Sequence, residues 1–203
     1  MQLKKETFGR FSISLRTAVR TVALVNLAYF FVEFSVAENI GSVSLFADSI
    51  DFLEDAAVNF LIVSALTWTA KYRAIVGMIL SGVLLIPTFA FLWTIWIKFN
   101  SPVVPNPLLL SGTGLVALMI NLGCAFLLAK FRNHVGSLTR AAFLSARNDA
   151  FANIAIVGAG LVTLQWSSVW PDIIVGVGIA YMNVDAAKAI WKAAKEEQLS
   201  AKP

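Results

Sequence analysis

The sequence is poor in charge and has almost no cysteine or histidine. Only 14% of its 203 residues are charged, against about a quarter in soluble domains, while 58% are hydrophobic. The single cysteine, Cys124, excludes a disulfide framework or a cysteine metal site within one chain. Neither a serine–histidine pair, nor paired histidines, nor a phosphate-binding loop occurs, so we do not expect an enzyme or any catalytic residue.

The apolar residues fall into runs long enough to cross a bilayer, which takes roughly 20 residues of helix. We predict six helices, over residues 17–37, 42–69, 74–99, 107–131, 139–165 and 171–191. The predicted fold class is therefore all-α, a polytopic membrane protein with a six-helix transmembrane bundle. The bundle domain spans residues 17–193, between an N-terminal segment (1–16) and a short tail (194–203). The first run has no obvious small-residue cleavage site, so we expect that helix to be retained rather than removed as a signal peptide.

Basic residues predict how the bundle is oriented in a cell membrane. They collect in the N-terminal segment, the 2–3 loop, the 4–5 region and the C-terminal tail. The 1–2 and 5–6 loops have none, and the 3–4 loop has only Lys98 at its edge. Because positive loops stay in the cytoplasm, both termini are predicted to be cytoplasmic. The net charge of +4 is spread over loops and ends, so we expect no nucleic-acid partner.

Helix 2 carries a stripe of polar residues along one face. At about 100° per residue, five side chains fall within roughly 80° of one another, namely Ser44, Asp48, Asp51, Asp55 and Asn59. The opposite face is apolar. Side chains one turn apart on one face can grip a single ion, so the spacing is suited to cation binding.

Helix 5 repeats the pattern in the opposite direction. Ser145, Asp149 and Asn153 are spaced four apart and share a face, and Asn148 flanks it. Asp149 lies about 14 Å from the start of helix 5, a depth close to that of the two inner aspartates of helix 2. The two stripes can therefore meet in the middle of the bilayer.

Energetic cost favours a bound cation over simple packing. An aspartate at the bilayer centre costs about 2.5–3.5 kcal/mol, and a cation is the strongest available partner for converging carboxylates. We predict metal ligation by Asp51, Asp55 and Asp149; the alternative is that these acids are neutral, hydrogen-bonded packing residues.

Other polar residues are assigned to the ion pathway or to support of the site, with the alternatives open. Asp48 lies nearer the outer surface and could be structural. Glu54 lies off the stripe by about 100° and could pair with Arg147 or a neighbouring helix. Glu33 in helix 1 fits a structural or a pathway role equally, and Asn59 and Asn153 complete this group.

These residues resemble the cation diffusion facilitator family, whose six-helix members open helix 2 with Gly-Ser-x-x-Leu-x-Ala-Asp. Here GSVSLFAD spans residues 41–48 and is followed in register by Asp51 and Asp55. Further matches are Glu33, Asn121 and the Trp170-Pro171-Asp172 opening of helix 6. The family commonly has His-x-x-x-Asp in helix 5, where this chain has Ser145-Ala146-Arg147-Asn148-Asp149. It resembles a short form without the family's cytoplasmic C-terminal domain.

The resemblance implies a metal/proton antiporter that exports Zn²⁺ or a similar ion (Mn²⁺, Fe²⁺, Co²⁺ or Cd²⁺) from the cytoplasm, and a homodimer. The implied ligands are Asp51, Asp55 and Asp149, with Ser145 or Asn148 as the fourth group. The metal would be cargo, and no cofactor is implied. Two alternatives remain: a proton-coupled exporter of organic cations, and a membrane metal-binding protein that does not transport.

Overall fold

The chain forms an all-α bundle. The computed structural model describes residues 14–65, 92–131 and 137–182, plus the isolated residues 69, 72 and 75, with backbone alone for 137–144. The described residues form six helices and no strand: α1 (Leu15–Ile40), α2 (Val43–Ala65), α3 (residues 92–100), α4 (Pro107–Ala129), α5 (Ser137–Gln165) and α6 (Trp170–Met182).

The helix boundaries follow local capping chemistry. Ser14 caps α1 by accepting from Thr17 N–H at 3.2 Å, and Gly41 ends α1 with a φ of 63°, which glycine adopts without strain. Asn106 caps α4 ahead of a proline at the first helical position. Thr69, which was predicted inside helix 2, is not helical. Much of predicted helix 3 and the end of predicted helix 6 lie outside the described residues.

The outer surface of the bundle is suited to lipid. α1 and α4 are each long and apolar enough to cross a bilayer, and α6 is a shorter apolar helix. Large apolar side chains point outward, such as Phe126 at 85% exposure and Tyr181 at 79%. A water-facing surface of this kind would be a large apolar patch, which soluble proteins avoid. The fold is therefore a transmembrane bundle.

α2 lies in the middle of the packing. α1 packs along α2 and α4 packs along α5, and contacts of α2 with α5 and of α1 with α4 join the two pairs. Every residue from Ser42 to Ile50 is buried. The approach of α6 to α2 depends on Gly176, where a Cβ atom would lie 2.7 Å from the carbonyl carbon of Val43.

Three loops meet at one end of the bundle. Lys98, near the end of α3, donates to the Gly41 carbonyl in the α1–α2 turn and to Asp172 at the start of α6. The 1–2, 3–4 and 5–6 connections therefore lie together. α2 runs away from this end and α5 runs toward it, which is the antiparallel arrangement that the two polar stripes require.

Candidate metal centre

The polar stripe of α2 is covered at three levels by polar residues of other helices. Counting from the loop end, Ser44 contacts α6, Asp48 contacts α5, and Asp55 contacts α1 and α5. Successive levels are about one to two helical turns apart. A line of polar groups therefore runs through the inside of the bundle.

The Asp55 carboxylate is held by residues of two other helices, α1 and α5. Its Oδ1 accepts from Ser145 Oγ of α5 at 2.9 Å, and its Oδ2 accepts from Asn26 Nδ2 of α1 at 3.3 Å. Asn26 is itself fixed by a contact of its Oδ1 with the Cys124 thiol at 3.6 Å. Below this level, Asn59 Nδ2 donates to the Asp55 carbonyl at 2.8 Å. Both carboxylate oxygens have donors, so the side chain is fixed in position.

Next to Asp55 lies a cavity of about 180 Å³ between α2, α5 and α6. It is lined by Asp51, Glu54, Asp55, Val58, Ser145, Asn148, Asp149 and Met182. All five residues predicted to bind metal therefore line one space, together with Glu54. The lining residues of α2 run from Asp51 away from the loop end, so the cavity lies in the opposite half of the bundle.

The cavity concentrates negative charge. Asp51 and Asp149 come from different helices and interact electrostatically, and Glu54 and Asp149 are both nine-tenths or more buried. Like charges in a low-dielectric site repel strongly unless protons or a cation compensate them. Arg147 does not supply that compensation here, since it is exposed and donates to Asn148 at 3.3 Å.

The arrangement is a lined space rather than a closed coordination shell. Among the described residues, no three or more His, Cys, Asp or Glu side chains are placed to hold a metal ion together. The cavity combines carboxylates with the hydroxyl of Ser145 and the amide of Asn148. An ion there would draw on mixed oxygen donors and would need the carboxylates to move inward; the ligand assignment stays a prediction.

One level toward the loop end, Asp48 and Glu33 are fully buried between α1 and α2. Asn153 Nδ2 donates to Asp48 Oδ2, and Asn121 Nδ2 donates to Asn153 Oδ1 at 3.0 Å. Asp48 is therefore enclosed by protein; whether its role is structural or in the ion pathway stays open. Asn121, matched by resemblance alone, orients this cluster.

Asp172 lies at the level nearest the loop end, that of Ser44, and caps α2 from another helix. Its carboxylate accepts from Val43 N at 2.8 Å, Ser44 N at 3.0 Å and Ser44 Oγ at 2.6 Å, and from Lys98 Nζ at 3.0 Å. Ser42 Oγ satisfies the next amide, that of Leu45, at 3.2 Å. The sequence predicts Asp172 as a residue of the α6 start but not as the cap of α2.

Sequence reasoning missed Asn26 and Lys98. Asn26 stands seven residues before Glu33, so the two share a face of α1, and that spacing could have indicated a polar face opposite the α2 stripe. Lys98 offers no such signal, because its position near a loop is typical of a solvated lysine. Its side chain is 4% exposed and pairs with Asp172.

A family comparison agrees with this architecture. Residues 19–196 match the family model of the cation efflux transmembrane domain, which is most of the chain. The protein belongs to the cation efflux, or cation diffusion facilitator, family of membrane cation transporters. No curated protein matches the chain closely enough to count as a relative.

Proposed function

We propose that this protein carries a divalent metal ion across the membrane through the cavity lined by Asp51, Asp55 and Asp149, in exchange for protons. The observation that carries the proposal is this cavity, in which acids from two antiparallel helices converge beside the serine and amide oxygens of α5. Buried acids inside a membrane bundle mark ion pathways by default. Family membership supports cation transport as the general activity.

We propose export from the cytoplasm, with both termini cytoplasmic in a cell membrane. The lining of the cavity runs from Asp51 to Val58 along α2 and reaches Met182, the last described residue of α6, away from the 1–2, 3–4 and 5–6 loops. With positive-inside topology that half of the bundle faces the cytoplasm. The chain then binds its cargo from the cytoplasmic side. A homodimer is expected from the family likeness.

Proton exchange follows from the chemistry of the ligands. Carboxylates must lose their protons before they can bind a metal, so binding releases protons and acid promotes release of the metal. Ser145 and Asn26 hold Asp55 by hydrogen bonds, which keeps one acid in place while the others close on the ion. A pH lower outside than inside would then drive net export.

The charged and polar residues of the lining offer oxygen donors, beside the thioether of Met182, and this bears on which metal is carried. Zn²⁺ favours nitrogen and sulfur ligands, whereas oxygen donors suit Mn²⁺ and harder ions. We propose that the cargo is Zn²⁺ or a similar divalent ion such as Mn²⁺, Fe²⁺, Co²⁺ or Cd²⁺. Among these ions, the oxygen donors of the cavity favour Mn²⁺. A cavity of about 180 Å³ is smaller than pockets that hold drug-sized molecules, roughly 300–1,000 Å³, so the organic-cation alternative is disfavoured.

The test is metal flux into proteoliposomes for all five ions, with and without a pH gradient. We expect flux in the parent to rise with the gradient and to fall at least about tenfold in the double variant Asp55→Asn/Asp149→Asn. Glu38→Gln is the matched control, because Glu38 is exposed near the end of α1 and far from the cavity. Unchanged flux in the double variant would refute the proposal, and metal binding without flux would favour a non-transporting protein.

A further inference from the structure

A second group of acids lies apart from the cavity and is completely enclosed. Glu33 on α1 and Asp48 on α2 are each 0% exposed and are electrostatic neighbours. Asn153 from α5 and Asn121 from α4 complete the group, at 0% and 1% exposure. Four helices thus contribute one polar side chain each to a single buried point.

Three oxygens of this group have no hydrogen-bond partner among the described residues. They are Oε1 and Oε2 of Glu33 and Oδ1 of Asp48. Buried carboxylate oxygens without a donor are rare because their desolvation is not repaid, so such orphans call for an explanation. The other Asp48 oxygen is satisfied by Asn153, whose amide is oriented by Asn121.

Aromatic packing separates this group from the Asp55 level on the α1–α2 interface. Tyr29 stands one turn before Glu33, and Phe52 one turn after Asp48, and their ring centroids lie 4.8 Å apart in an edge-to-face contact. The Tyr29 hydroxyl donates to the Thr113 carbonyl of α4 at 2.7 Å and is therefore not directed at Glu33 or Asp48. The residues Glu33 and Asp48 do not line the 180 Å³ cavity. The group is therefore separate from the lining of the cavity, although Asp48 is an electrostatic neighbour of two acids in that lining.

We propose that Glu33 and Asp48 form a second cation site that takes an oxygen-preferring divalent ion such as Mn²⁺. Two carboxylates and one dication sum to zero charge, so the ion offsets the cost of burying two negative charges in a dry interior. A glutamate that offers both oxygens and an aspartate that offers one are hard donors of the kind Mn²⁺ prefers. Glu33 and Asp48 lie within hydrogen-bond reach of each other, so a single shared proton would join one oxygen of each acid and leave the third without a partner. A cation bound between the two acids would coordinate all three oxygens.

The place of the site along α2 suggests its use. Asp48 precedes Asp55 by two helical turns, about 10 Å, and lies toward the loop end, on the side away from the cavity lining. Resting on the proposed transport function, the second site would receive the ion after it leaves the cavity and before it reaches the outer surface. The two sites would then be successive stations on the same polar stripe.

The test is the number of Mn²⁺ ions bound per chain by the full-length protein in detergent, measured by equilibrium dialysis and by Mn²⁺ electron paramagnetic resonance. We expect two ions in the parent, one in Glu33→Gln, one in Asp55→Asn/Asp149→Asn, and none in the triple variant. Glu38→Gln is the control and should keep two. Circular dichroism and size-exclusion chromatography check that each variant is folded.

The outcomes separate the two proposals. A parent count of none overturns the second site, and so does a parent count of one that Asp55→Asn/Asp149→Asn loses. A Glu33→Gln count equal to that of the parent also overturns it and leaves a proton-sharing acid pair. If instead Glu33→Gln loses one ion and Asp55→Asn/Asp149→Asn loses none, the second site stands and the proposed role of the cavity fails.

Discussion

At the scale of single residues, Ser145 has the clearest consequence for the choice of metal. It stands where the family commonly has a histidine, its hydroxyl donates to Asp55, and it lines the cavity. A hydroxyl is a weak metal ligand compared with imidazole, so this position removes the one nitrogen donor that the family resemblance would place there.

Ser145→His should therefore shift the preference toward Zn²⁺. We expect the ratio of Zn²⁺ to Mn²⁺ affinity to rise by about tenfold, or about 1.4 kcal/mol, because Zn²⁺ favours imidazole nitrogen more strongly than Mn²⁺ does. Competition binding of the two ions to the purified protein measures the ratio. Ser145→Ala is the control and should weaken both ions alike; a ratio that stays constant in Ser145→His would contradict the assignment of this position to the metal site.

The acidic residues themselves could be found from the sequence. Asp48, Asp51 and Asp55 lie on one face of helix 2, and such a face is costly in contact with lipid. The spacing of these residues therefore indicates that the face points into the bundle. Their partners could not be found in the same way. Asn26 and Lys98 are single polar residues on apolar or loop segments, and only the packing of α1 and α3 against the rest shows which acid each one contacts.

At the scale of helices, α2 is held by a cap that belongs to another element. The Asp172 carboxylate satisfies two amides at the N-terminus of α2, where the helix dipole favours negative charge, and it also neutralises the buried Lys98. Removal of the acid leaves a buried cation and open amides, whereas removal of the lysine leaves a carboxylate that still has several donors.

We therefore expect unequal effects from the two partners. Asp172→Ala should lower the free energy of unfolding by about 3–5 kcal/mol, the usual effect of stranding a buried charge. Lys98→Met should lower it by about 1 kcal/mol, the net worth of a typical hydrogen bond. Denaturant unfolding in detergent micelles measures both, with Glu38→Gln as the control. Equal losses would show that the lysine, not the helix terminus, is the main partner of Asp172.

Two glycines of α6 form a matched pair for testing how closely this helix approaches α2. A Cβ atom on Gly176 would lie 2.7 Å from the Val43 carbonyl carbon and 2.8 Å from Ser44 N, while one on Gly178 would meet nothing within 4 Å. Gly176→Ala should cost about 1–3 kcal/mol, because backbone rather than a flexible side chain must move. Gly178→Ala should be neutral or stabilising by up to about 1 kcal/mol, since alanine is the better helix former.

The measurement is the midpoint of thermal unfolding of both variants in the same detergent. A Gly176→Ala midpoint equal to that of Gly178→Ala would mean that α6 does not press on the start of α2.

At the scale of the whole molecule, the sequence was sufficient for the six-helix bundle but not for its exact ends. Hydropathy marks where lipid begins, and the bounds of α1 and α4 agree with it to within a few residues. The ends depend on caps such as Ser14 and Gly41, whose effect is local and independent of hydropathy. The spacing of the polar residues along α2 and α5 allows the two helices to meet at one cavity, but only the tertiary packing determines that they do.

The burial of Lys98 explains why a basic residue lies at the edge of a loop that is predicted to face outward, against the rule that basic loops stay in the cytoplasm. Lys98 is the one basic residue in such a position, and its charge is buried against Asp172. A neutralised lysine does not oppose the orientation that the remaining Lys and Arg residues favour.

The orientation can be tested with cysteine labelling. In a Cys124→Ala background, which has no cysteine, Ser101→Cys and Ser167→Cys should react with a membrane-impermeant maleimide in intact cells. Lys130→Cys should react only after permeabilisation. All three positions are exposed, so access depends on the side of the membrane. The reverse pattern would place both termini outside.

The cap on α2 depends on a residue that is synthesised much later than the helix it caps. The start of α2 leaves the ribosome long before Asp172, which follows Val43 by 129 positions. Until α6 is made, Asp172 is not there to accept from the first-turn amides of α2. Nascent chains stopped ahead of α6 would thus present an incomplete N-terminal turn to the insertion machinery, and assembly of the acidic helix becomes a late event in the maturation of the protein.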